Sequence, residues 1–259
     1  MRNVSLDDYD RIARPVLAIG TDYTPGHVLD WHRHRRAQLL YGATGVMIVE
    51  TVDGAWTVPT DRAILIPPAT RHRVTMLGVS TRSLYLEPSA VAPWWPASCR
   101  IADVPPLVRE LLLAAVELDP AYDEGGRDGA LAALLLHELA ALSTRPSLPL
   151  HIDLPASPEL AALCRGYLTA PDVRLRNEDW ARRLATSERA FTRRFRRELG
   201  TSPAAWRARA RLVAAVPLLR EHSVTGTAAR LGYSSPAAFT AAFSRAFGLP
   251  PSVFNRPAP

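Results

Sequence analysis

The sequence predicts an α+β protein of separate domains: a small β-barrel or sandwich over residues 1–90, a helical linker over 91–156, and an all-α domain with two helix-turn-helix units over 157–259. Three observations lead there. Short apolar runs broken by turn residues fill positions 16–86, whereas helical spacing dominates beyond the proline-rich stretch 88–96. The last hundred residues then repeat upon themselves.

A chain of 259 residues with 47% apolar content can bury one large core or two modest ones, which argues against a disordered chain or a disulfide-stapled miniprotein. Cys99 and Cys164 form no paired spacing, so neither a cysteine-only zinc site nor a disulfide framework is expected. No apolar run approaches the ~18 residues of a membrane span, and Asp7, Asp8 and Asp10 stand where a signal peptide needs positive charge. The reading is a soluble, cytoplasmic protein without a membrane partner. Charge is unevenly spread: residues 1–156 hold 14 Arg against 18 acidic residues, a balance of −4, whereas 157–259 hold 17 Arg against 7, a balance of +10. One domain is thus suited to a polyanion and the other is not.

Strands are expected at 16–19, 38–41, 45–51, 55–58, 63–66, 73–77 and 83–86, with Asp53-Gly54 as a hairpin turn because both residues tolerate positive φ. Helices follow at 106–117 and 127–143, free either to pack on the sheets or to form a dimer surface. Pro146, Pro149, Pro155 and Pro158 favour an extended linker over 146–158. Ser157 and Asn177 then read as N-caps.

An offset of 48 residues superposes Phe191-Thr192-x-x-Phe195-x-Arg197-x-Leu199-Gly200-x-x-Pro203 on Phe239-Thr240-x-x-Phe243-x-Arg245-x-Phe247-Gly248-x-x-Pro251. Each copy follows a short helix, a tight turn and a capping serine, Ser187 or Ser235, which makes two helix-turn-helix units. In the first copy Phe191, Phe195 and Leu199 share one face, and Arg189, Arg193 and Arg197 another. A face so rich in guanidinium groups suits the major groove, where arginine forks onto guanine or holds a phosphate.

These residues, with Trp180-Ala181-x-x-Leu184-Ala185-x-Ser187 and Ala228-x-x-Leu231-Gly232-Tyr233-x-Ser235, resemble the DNA-binding domain of the AraC/XylS family of bacterial transcription regulators. The resemblance implies two recognition helices in successive major grooves of promoter DNA, joined by a long helix. Carried over by position, the contacts are Arg189, Thr192 and Arg193 in the first helix, and Ala237, Thr240 and Ala241 in the second, with Arg197 and Arg245 beside them. The first helix has five arginines and the second only Arg245. Pro217 inside the connecting helix, 203–221, is expected to kink it.

Near the N-terminus, Gly26-(x5)-His32-x-His34-(x3)-Gln38-(x6)-Gly45 and Pro67-x-Ala69-x-x-His72 resemble the two cupin motifs, which place three imidazoles and a carboxylate around a metal. Gln38 replaces the usual acid, and Asp61, Ala69 and Met76 stand where the pattern prefers Gly, Gly and Asn. His32, His34, Gln38 and His72 could hold one divalent transition metal, released as pH falls through the histidine range near 6.5. They could equally line a ligand pocket, and Arg33, Arg35, Arg36, Arg71 and Arg73 would favour an anionic ligand there. His27, His137, His151 and His222 receive no role.

The sequence therefore reads as a one-component regulator, a possible homodimer, in which a cupin-like domain senses a small molecule or metal. A metal-dependent cupin enzyme with a DNA-binding tail is the rival. No separate nucleophile or acid pair supports it.

Overall fold

The computed structural model describes residues 6–60, 62–145 and 149–255; Asp61 and Pro146 lie outside the described residues. The chain divides into two compact units. One comprises the residues up to Val49 together with Val58–Pro149; the other joins Glu50–Thr57 to the chain from Leu150 onward.

In chain order the strands and helices of the first region are β1 (Val16–Asp22), β2 (Val28–His32), β3 (Ala37–Gly42), β4 (Val46–Glu50), β5 (Gly54–Pro59), β6 (Arg62–Ile66), β7 (His72–Leu77), β8 (Ser80–Leu86), α1 (Pro88–Val91), β9 (Arg100–Asp103), α2 (Pro106–Ala115) and α3 (Arg127–Ser143). In the first unit β1, β8, β3, β6 and β9 form one antiparallel sheet in that order, and β4, β7 and β2 follow one another in a second. Alternation decides what each face buries. Val16, Ala18, Leu39, Tyr41, Leu65 and Leu84 meet Val108, Leu112, Leu135 and Leu139 of α2 and α3, so the two predicted helices cover the first sheet.

Two strands escape sequence reading for different reasons. β2 is largely solvent-facing and carries no apolar run, and β9 is four residues ending in Asp103. The turn at Asp53-Gly54 is present, with Thr51 N–H donating to the Gly54 carbonyl at 2.8 Å, but neither Asp53 nor Gly54 adopts positive φ. Instead the Asp53 N–H bonds the Thr51 hydroxyl at 3.2 Å.

The second unit contains β10 (His151–Asp153), α4 (Pro158–Thr169), α5 (Asn177–Arg183), α6 (Glu188–Leu199), α7 (Pro203–Glu221), α8 (Val224–Arg230) and α9 (Pro236–Phe247). The expected linker is extended, yet it is not free. Ile152 of β10 pairs with Ala55 of β5, Leu150, Ile152 and Leu154 are buried, and Trp206 Nε1 donates to the Asp153 carbonyl at 2.8 Å. Ser157 is the N-cap of α4 as expected, with Pro158 following it, although its N–H and hydroxyl donate to Glu198 instead of its hydroxyl capping the helix. The second cap differs from expectation: Asn177 lies inside α5, where its Oδ1 accepts from Arg207 Nη2 at 2.9 Å. The α7 helix runs unbroken through Pro217.

The repeat is visible in backbone detail. Ser187 and Ser235 each accept an N–H from three residues on, at 3.3 and 3.1 Å, and Gly200 and Gly248 close α6 and α9 at φ 67° and 73°. At the turn between helices, Thr186 N–H reaches the Ala181 carbonyl and Tyr233 N–H the Ala228 carbonyl, both at 3.0 Å. The left-handed residue in those turns is Gly232 in one copy and Ala185, at φ 49°, in the other. Ala69, where the cupin pattern prefers glycine, likewise sits at φ 58°. Ala185→Gly and Ala69→Gly are therefore expected to raise stability, each by up to ~1 kcal/mol, because relief of left-handed strain exceeds glycine's entropy cost. Urea unfolding midpoints check this.

Candidate nucleic-acid interface and effector site

The first helix-turn-helix unit is assembled around a ring cluster. Trp180 is 1% exposed, with ring centroids of Tyr167, Phe191, Phe195 and Trp206 between 5.9 and 6.1 Å away. Burying Phe191 and Phe195 inward turns the arginines of α6 outward. Arg189, Thr192 and Arg193 line one shallow concave surface with Glu188 and Arg196. Arg196 was missed by the sequence reading, although its i, i+3, i+7 spacing from Arg193 and Arg189 was the available signal. Arg197 is exposed beside this strip and does not line it. Arg194 turns away, donating to Glu198 Oε1 at 3.1 Å and Glu159 Oε2 at 3.3 Å.

In the second unit Phe239, Phe243 and Phe247 are buried, and Ala237, Ala241 and Arg245 are exposed, with Thr240 half-buried among them. The face of α9 is thus small and nearly neutral. It offers methyl contacts and few hydrogen bonds.

The three histidines converge, although His32 and His34 do not alternate along one strand. His32 ends β2, and His34 lies beyond it. A bulge does the aiming: Leu29 pairs with Val74, but His32 pairs with His72, so one extra residue in β2 turns His32 onto His72. The Ala69 N–H holds the His34 carbonyl at 2.7 Å. One ring nitrogen from each of His32, His34 and His72 lies within 4.8 Å of the others.

Backbone carbonyls set the tautomers. His32 Nδ1 lies 2.6 Å from the Asp30 carbonyl and His72 Nδ1 2.9 Å from the Thr70 carbonyl. A carbonyl only accepts, so each Nδ1 carries a proton, and in the neutral ring the lone pair falls on Nε2. His72 Nε2 is buried without a protein partner, as is Gln38 Oε1, while Gln38 Nε2 donates to the Tyr85 hydroxyl at 3.3 Å. The Tyr85 ring stands edge-on to His34 at 5.0 Å. Burial, with His32 and His72 nearby, lowers the His34 pKa to about 3, and burial lowers that of His72 to about 4. Both rings therefore stay neutral well below pH 6.5, so proton competition at these two begins lower than the sequence reading expects.

The neighbouring arginines are directed elsewhere. Arg35 and Arg36 pair with Asp10 and Glu87, and Arg71 and Arg73 lie over Trp31 at 5.6 and 5.9 Å. Arg73 alternates with buried His72 and Val74, so it occupies the opposite face of β7. The cluster itself presents lone pairs, which suit a cation or a hydrogen-bond donor better than an anion.

Two family models match this chain: an AraC-like ligand binding domain over residues 14–156 and a helix-turn-helix domain over 180–257. The chain belongs to the AraC family. Its function is that of an AraC-family DNA-binding transcription regulator with a ligand-binding domain. It is 29% identical over 238 residues to the HTH-type transcriptional regulator NimR of Escherichia coli (strain K12), covering 91% of this chain and 84% of NimR. Among solved structures, fatty-acid-bound ToxT of Vibrio cholerae strain SCE256 matches at 11% identity and TM-score 0.38, covering 93% of this chain and 94% of ToxT. The C-terminal domain of AraT from Geobacillus stearothermophilus matches at 28% identity and TM-score 0.34, covering 39% and 85%. Among the described residues, no helix of this AraC-family chain is long and apolar enough to cross a membrane.

Proposed function

We propose that this regulator discriminates its promoter chiefly through α6, with Arg189, Thr192, Arg193 and Arg196 facing the major groove, and that its first unit senses a divalent transition metal at His32, His34, Gln38 and His72. The observation that carries the sensing reading is the buried lone pair of His72 Nε2, left without a protein partner beside two further imidazoles, together with that of Gln38 Oε1, whose amide is held by the Tyr85 that packs against His34. Buried acceptors of this kind are costly unless a ligand completes them. A metal bound there would supply the electrophile that these acceptors lack, while the Asp30 and Thr70 carbonyls hold two rings in the ligating tautomer. The role is regulatory rather than catalytic, and cytoplasmic. Leu107 of α2 and Leu134 of α3, 51% and 41% exposed, support a homodimer through this helix pair.

Protein purified without chelator is expected to carry about one divalent ion per chain, and His34→Ala to lose it. Elemental analysis decides. No ion on purification and none taken up on titration would leave the histidines as the lining of a pocket for a small organic donor.

A further inference from the structure

The charge of the histidine centre has a consequence of its own. Gln38 is 4% exposed, and its Nε2 is tied to the Tyr85 hydroxyl, so the amide oxygen is the end left open. Among the described residues, the metal-capable cluster consists of His32, His34 and His72 with no carboxylate in it, and the Tyr85 that holds the Gln38 amide packs against His34. The donors on offer are three imidazole nitrogens and one amide oxygen, with no carboxylate among them.

We propose that Gln38, standing where a carboxylate is usual, sets the metal affinity of this centre below that of a carboxylate-bearing site and keeps it selective for ions that prefer imidazole, such as Zn²⁺. The inference rests on the metal reading above. In a buried centre the attraction between a dication and a carboxylate adds strongly to affinity, and an amide oxygen supplies a donor without that charge. Neutral nitrogen-rich sites also discriminate against Mg²⁺ and Mn²⁺, which favour carboxylate and water oxygens.

The test is competition for Zn²⁺ between the full-length chain and a chromophoric chelator, with circular dichroism confirming the fold of each variant. Gln38→Glu is expected to bind Zn²⁺ at least tenfold tighter than wild type. Gln38→Leu, which removes the donor without adding charge, is expected to bind several-fold more weakly, and Mg²⁺ is expected not to compete. Wild-type affinity in Gln38→Leu, or a folded Gln38→Glu no tighter than wild type, overturns the role of Gln38 while leaving the histidine site standing. Should Gln38→Glu fail to fold, Gln38→Leu alone decides. Failure of the wild-type chain to bind Zn²⁺ at all overturns the metal reading itself and this proposal with it.

Discussion

Trp180→Ala is expected to destabilise the second unit by about 3–5 kcal/mol, the range for removing a large aromatic side chain from a packed core. Trp180 is 1% exposed, and four aromatic rings lie within 6.1 Å of its centroid. The Arg207 guanidinium also lies over its face, 5.3 Å from the centroid. Emptying that position leaves the ring cluster without its hub and Arg207 without its cation–π partner. Because α5 and α6 are both anchored on this core, specific DNA binding is expected to be lost as well. Urea unfolding followed by tryptophan fluorescence and circular dichroism reads the stability change, and wild-type stability would contradict the assignment of the core.

Arg189→Ala and Arg193→Ala are each expected to weaken operator binding by about 1–3 kcal/mol and to relax base preference at one position, as loss of a bidentate arginine–guanine contact does. Arg196→Ala is expected to fall in the same class, since Arg196 shares the concave surface. Arg194→Ala is not, because its guanidinium is spent on Glu159 and Glu198. Arg245→Ala is expected to weaken binding evenly across sequences, as a phosphate contact would. Quantitative footprinting at fixed salt separates these outcomes.

The two helix-turn-helix units were legible because one constraint was written twice. The Phe-x-x-x-Phe-x-x-x-Leu and Phe-x-x-x-Phe-x-x-x-Phe registers, the serine caps and the closing glycines all recur. Elements fixed by tertiary contact were not legible. The extended form of β10 was expected but its pairing with β5 was not, and neither was the carboxylate 41 positions away that takes the Ser157 hydroxyl. The convergence of His32, His34 and His72 was legible from spacing alone, but its mechanism was not. A bulge in β2, invisible in composition, brings His32 opposite His72. The anionic-ligand alternative could be weighed only once Asp10, Glu87 and Trp31 were seen to engage four of the five arginines.

The central claim, that α6 carries sequence discrimination and α9 does little of it, is tested most directly by saturation mutagenesis of the operator with the wild-type protein. The expected result is two half-sites about one helical turn apart, roughly 10 bp. Strong base preference is expected under the arginine-rich unit, and tolerance of base changes under Ala237, Thr240 and Ala241. Equal or greater sequence information beneath α9 would contradict it.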